Sequence, residues 1–259
     1  MNYPNLEELI NVVKVLRSEN GCVWDREQTH QSLRPNMLEE AYEAVDAINK
    51  GDIPNLREEL GDVLLQVLLH SQIADENKDF NIEDVAKELK DKLIHRHPHV
   101  FGNTKVNNSD EVIKNWEKIK QIEKKDRVSQ MDGIPTNFPA LVTALKISKR
   151  AIKVGFEWDS IKTLKECIKS EYDEFDEAVK SNSFNDMEDE MGDILFATVN
   201  LARWNKIDPE QALIRANNKF MTRFRAMEKL AIKPLEKYSY DEFDQLWNQA
   251  KLECSSHEQ

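Results

Sequence analysis

Apolar positions recur every three or four residues along most of the chain. Nowhere do they alternate in the two-residue rhythm of a strand over a useful length. Leu6, Leu9, Ile10, Val13 and Leu16 open the chain on an amphipathic helix, which Asn20-Gly21 ends. Pro35 marks the start of the next helix, whose apolar face is Ala41, Ala44, Val45 and Ile48, until Gly51 and Pro54 break it. Further helices are predicted over residues 56–73, over 81–94 and around Trp116. From residue 140 the pattern begins again, with helices over 140–154, 164–179, 194–204 and 209–232 and a last one around Trp247. Residues 63–69 and 194–201 are apolar almost all round, the mark of helices buried on most sides. The prediction is an all-α fold of two tandem helical bundles. The first covers residues 1–127 and the second 140–259, with a linker over 128–139 that holds Gly133, Pro135 and Pro139.

The polar positions of the two halves repeat one another. Glu40 and Glu43 stand three apart, then Glu59 and Asp62; in the second half the same arrangement reads Glu174 and Glu177, then Glu190 and Asp193. Residues three apart share a helix face, so each half offers two helices with a carboxylate pair apiece. Trp24-Asp25 with Thr29 matches Trp158-Asp159 with Thr163. Lys92 and Arg96 match Lys219 and Arg223, and Trp116 with Lys120 matches Trp247 with Lys251. Each motif has a bland reading. A Glu-rich helix is more often a solvated face, Lys and Arg four apart are more often surface decoration, and a helical Trp is usually core. Recurrence of type and spacing across halves whose intervening residues differ, Ala41-Tyr42 against Phe175-Asp176, favours a shared site. Four inward carboxylates repel one another unless a hard cation sits among them, and Mg²⁺ takes such oxygen ligands together with substrate phosphates.

Composition narrows the choice. The formal charge of −12 argues against a nucleic-acid polymer as partner, because a basic stripe is its usual footprint. A small phosphorylated ligand stays open. Cys22, Cys167 and Cys254 are scattered and form no CxxC pair, which suits a reduced, cytoplasmic protein with no membrane span. His95, His97 and His99 resemble a zinc ligand set, but the second half lacks histidine there. A di-iron bundle favours Glu-x-x-His, and none of the paired carboxylates has His three residues on. Glycine-rich phosphate loops are absent.

Cys22-Val23-Trp24-Asp25, Gln28-Thr29-His30, Leu38-Glu39-Glu40-x-x-Glu43, Glu58-Glu59-Leu60-Gly61-Asp62 and Arg96-His97-Pro98-His99-Val100-Phe101, with the second acidic set, resemble the MazG family over essentially the whole chain. Val23 stands where that family often has Pro, and Asp173 where the first Glu of its EExxE pattern is usual. The resemblance implies two MazG-like helical domains that pair into homodimers. It also implies Mg²⁺-dependent hydrolysis of nucleoside triphosphates to monophosphate and pyrophosphate, with low base selectivity, acting through the second copy. Carried over, Glu174, Glu177, Glu190 and Asp193 would hold the metal, with Glu171 and Asp173 as further candidates for activating water. Lys219 and Arg223 would meet the phosphates, Trp247 the base and Lys251 phosphate or sugar. The first set, Glu40, Glu43, Glu59, Asp62, Lys92, Arg96 and Trp116, carries the same residue types, so inventory alone does not choose between copies. A helical assembly protein with a structural metal, or a module that binds signalling nucleotides, remains as a rival.

Overall fold

The structure is a computed structural model that describes residues 3–123 and 128–255, apart from the side chains of Glu117 and Gln121. The described residues form helices and no strand. The chain divides into two compact units, Met1–Lys125 and Asp126–Gln259. The sequence boundary at residue 127, with most of the charged run before it, lies outside the described residues.

In the first unit, α1 (Pro4–Leu16) is followed by the short α2 (Val23–Glu27), then α3 (Arg34–Lys50) and α4 (Ile53–Asn77). α5 (Ile82–Arg96), the single turn α6 (Pro98–Phe101) and α7 (Ser109–Glu123) complete it. Val13 of α1, Leu33, and Leu68, Leu69 and Ile73 of α4 form its core. α3 packs chiefly against α4. Their connection is short because Gly51 takes a left-handed conformation at φ 68°, which a Cβ would oppose, and Asp52 donates its amide back to Ala47 at 3.0 Å. Asp52 then caps α4, accepting from the Asn55 amide at 3.1 Å.

The second unit contains α8 (Ala140–Ala151), α9 (Ile161–Ser181), α10 (Phe184–Trp204), α11 (Pro209–Leu230) and α12 (Tyr240–Ser255). α9 packs on α10, and the turn between them repeats the first unit's device. Asn182 sits left-handed at φ 56°, and Ser183 donates to Ala178 at 3.2 Å. Ser160 caps α9 and Asp208 caps α11. α11 and α12 meet over Met227, Leu246 and Ala250. The stretch expected as a linker is held to α8: Arg150 donates to the carbonyls of Gln130 at 2.8 Å, Asp132 at 2.6 Å and Gly133 at 3.4 Å.

The helices that carry the acidic residues leave apolar side chains in solvent. On α3 and α4 these are Leu38, Tyr42, Ile48, Ile53 and Leu60. On α9 and α10 they are Tyr172, Val179, Phe184, Met191 and Leu195. The stretch over 194–201, apolar nearly all round, is thus buried on one side only, with Ile194, Ala197 and Val199 inward and Leu195 52% exposed. No helix among the described residues is long and apolar enough to cross a membrane.

Candidate metal and nucleotide site

Each antiparallel helix pair brings carboxylates together across its turn. In the first unit Glu40 and Glu43 on α3 converge with Glu59 on α4, their ligand oxygens within 4.8 Å of one another. In the second, Glu171 and Glu174 on α9 converge with Glu190 on α10 over the same span. Asp62 and Asp193 stand one turn along from Glu59 and Glu190, near enough to act on the charge of their neighbours. Glu177 lies one turn further along α9, exposed, and is not among the gathered group. The equivalent of Glu40 is therefore Glu171. Glu43 to Glu59 and Glu174 to Glu190 are both sixteen residues apart, as the matching turns require.

The electrostatics are those of crowded anions. Glu190 is raised above the ordinary carboxylate value by loss of surrounding water and then by Glu174, Asp193, Glu171 and Asp189. Glu40 is raised by burial and then by Asp62, Glu43, Glu39 and Glu59. Glu59 is raised by burial, Glu43, Asp62 and Glu58. Loss of water and like-charged neighbours both favour the protonated form. The donor set fits a hard divalent cation: it is all oxygen, and its three carboxylates are gathered closely enough for one ion to reach them. Histidine takes no part in either group. In the second unit neutral donors hold two of the ligands. Ser170 Oγ donates to Glu174 at 3.2 Å, and Cys167 Sγ donates to Glu171 at 3.5 Å. The corresponding first-unit residues are Glu39 and Asn36.

The cations and aromatics differ between the units. Arg96, at the end of α5, pairs with Glu123 of α7. Lys120 sits 4.1 Å over the ring of Trp116, whose Nε1 is buried without a hydrogen-bond partner among the described residues. Lys219 and Arg223 stand mid-way along α11 with no ion pair among the described residues, and nothing brings them into contact with the carboxylates. Trp247 of α12 packs against Phe220 of α11 with ring centroids 5.2 Å apart. Together with Phe224, Tyr240, Phe243 and Asp244 they line a groove of about 260 Å³. Lys251 lies one turn beyond Trp247, half-buried. Sequence reasoning found the Trp and the cations, and Phe220 and Phe224 as neighbours, but not the groove, because Tyr240, Phe243 and Asp244 carry no repeat signal.

Fold and site define an all-α protein that carries one carboxylate-lined helix pair twice. A family model described as MazG nucleotide pyrophosphohydrolase domain matches residues 28–101 and again 159–227. A nucleoside triphosphate pyrophosphohydrolase/pyrophosphatase MazG of Thermotoga maritima is 44% identical over 249 residues, 95% of either chain. A nucleoside triphosphate pyrophosphohydrolase of Escherichia coli K12 is 41% identical over 254 residues, 95% of this chain and 97% of its own. The crystal structure of mazG-related protein from Thermotoga maritima matches 46% of this chain and 99% of its own at 28% identity, with a TM-score of 0.39. The chain belongs to the MazG family of nucleotide pyrophosphohydrolases.

Proposed function

We propose that this chain hydrolyses nucleoside triphosphates to monophosphates and pyrophosphate, with Mg²⁺ as cofactor and broad tolerance of the base, as nucleotide-pool housekeeping or regulation. The observation that carries the reading is the convergence of Glu171, Glu174 and Glu190 at a span suited to a hard cation, in a chain of this family. Glu174, Glu190 and Asp193 of the sequence set would hold the metal, and Glu171 would take the place given there to Glu177. When bound, the metal neutralises phosphate charge and lowers the pKa of water. The chain's own residues do the rest. Lys219 and Arg223 bind phosphate oxygens and stabilise charge on the departing pyrophosphate. Trp247 offers a flat face that any base can stack on, and Lys251 meets phosphate or sugar. Acidic charge over the whole chain disfavours nucleic-acid polymers, and three free cysteines suit the reduced cytoplasm.

The apolar residues left in solvent on the acidic helices support a homodimer that covers them. A single-chain mass by light scattering at micromolar concentration would rule the dimer out. The activity test is release of pyrophosphate from ATP, GTP, CTP and UTP with and without Mg²⁺. Orthophosphate and nucleoside diphosphate as the first products would sink the proposal, and metal binding without turnover would leave the assembly-protein rival standing.

A further inference from the structure

We propose that Asp244 grades the substrate's base, favouring nucleoside triphosphates whose base carries an exocyclic amino group over those that present only carbonyls and a ring N–H. The inference rests on the reading of Trp247 as base platform and goes beyond it. Among the described residues Asp244 is the only charged one lining the groove; the other walls are aromatic or thioether. It lies three residues before Trp247 on α12, hence on the same face. Asn248 Nδ2 donates to its Oδ2 at 3.0 Å, which fixes the carboxylate plane and leaves Oδ1 without a partner among the described residues. Neither Lys219 nor Arg223 pairs with it. An Asp on an exposed helix is ordinarily surface decoration, but the first copy speaks against that here. The residue three before Trp116 is Ile113, so the acceptor accompanies only the copy whose cations are unpaired.

The chemistry follows from what a carboxylate lacks. It accepts and does not donate. A base stacked on Phe220 and Trp247 meets a wall that is indifferent to its identity, because every base has a π-face. At the rim an amino group of adenine, cytosine or guanine can donate to Oδ1. A carbonyl oxygen of uracil placed there faces like charge. A hydrogen bond to a charged group contributes enough to separate the two classes by about tenfold, a bias laid over a platform that still accepts every base.

The test compares kcat/KM for ATP, CTP, GTP and UTP, with dATP alongside ATP, in the unaltered chain and in Asp244→Asn and Asp244→Ile. The Asn variant keeps an acceptor for Asn248, and the Ile variant copies the first unit. The expected result is a preference for ATP, CTP and GTP over UTP of about tenfold or more that collapses in both variants, with UTP changed less than threefold. An equal loss for every substrate, an unchanged ranking, or a change confined to the ATP-to-dATP ratio (which would put the carboxylate on the sugar) overturns it. Absence of pyrophosphate from any substrate with the unaltered chain would instead sink the activity reading. In that event calorimetric binding of AMP, CMP and UMP to the same three proteins still decides the role of Asp244.

Discussion

Arg96 and Glu123 are joined by two parallel hydrogen bonds, Nε to Oε1 at 3.2 Å and Nη2 to Oε2 at 2.7 Å. A guanidinium held this way has its fork filled by protein, and the pair keeps Arg96 above its ordinary pKa. The matching Arg223 makes no ion pair among the described residues. The contrast favours the second copy as the one that binds triphosphate. Glu190→Gln is therefore expected to cut turnover by more than the roughly 10–100-fold that loss of a metal ligand's outer partner costs, while Glu59→Gln keeps most activity. Steady-state kinetics on both variants, after circular dichroism confirms folding, checks this; the reverse pattern moves the chemistry to the first copy.

Metal and stability are expected to be coupled. Glu40, Glu59 and Glu190 have folded-state pKa values above those of the unfolded chain. Without a cation their contribution destabilises the fold as pH rises through those values, because the folded state must then give up protons it holds more tightly. A bound cation reverses that cost and adds stability by mass action. The melting temperature should be higher in millimolar Mg²⁺ than in EDTA at pH 7.5, and the difference should shrink towards pH 5 as protons compete for the ligands. Equal melting temperatures at pH 7.5 would contradict it.

Arg17 and Glu76 provide an acid-sensitive tie of the opposite sign. Nε and Nη2 of Arg17 donate to the two oxygens of Glu76 at 2.9 and 2.7 Å, and Nη1 reaches the carbonyls of Asp25 and Gln28. One nearly buried side chain thus joins the end of α1, α2 with the residue after it, and the end of α4. The bond from Arg17 holds Glu76 below the ordinary carboxylate value. Its stability contribution is complete above the unfolded pKa and is lost as pH falls through the folded one. Glu76→Gln should destabilise the first unit by about 1 kcal/mol at pH 7, modest because Glu76 is partly in solvent. Urea unfolding at pH 7 and pH 3 should show the difference narrowing in acid.

The histidines give a second acid response, confined to the first unit. His30 Nδ1 and His70 Nδ1 lie 2.7 Å apart with ring planes within 2°, so the contact needs a proton on one nitrogen and none on the other. Burial first, and His30 second, hold His70 below the ordinary imidazole value. The unfolded chain therefore takes up more protons in acid, and this share of stability, full above a pH of about 6.5, is lost as pH falls. The second unit has Leu164 and Leu201 at the corresponding positions. His70→Leu should show a smaller drop in melting temperature between pH 7 and pH 5 than the unaltered chain; an equal drop would exclude the pair as its source.

The helices were legible because apolar positions recur at helical spacing and breakers sit at their ends: Pro35, Gly51 and Pro209 all fall within a residue or two of an observed end. The carboxylate register was only partly legible. Counting from Trp158-Asp159 leads to Glu174 as the partner of Glu40, because the stretch from Asp25 to Glu40 is three residues longer than that from Asp159 to Glu171. Three residues is nearly one turn, so Glu177 shares the face of Glu174, and periodicity cannot tell which neighbour completes the group. Only the packing of α9 on α10 does.

That packing makes the turn a measuring device. Ala47, Gly51 and Asp52 are each 131 residues before Ala178, Asn182 and Ser183, the same interval that separates Glu43 from Glu174 and Glu59 from Glu190. The distance between ligands is thus set by where each chain reversal closes, and the reversal needs one residue in the left-handed region. Asn182 holds it less comfortably than Gly51 does. Adding one residue between Asn182 and Ser183 would leave every carboxylate in place along its own helix. Yet if α10 were to keep its apolar seam it would lose that closure, and if it kept the closure it would turn Glu190 by about 100° away from Glu171 and Glu174. The two copies of this chain accordingly differ in the side chains around the acidic groups and agree in the length of a two-residue bend.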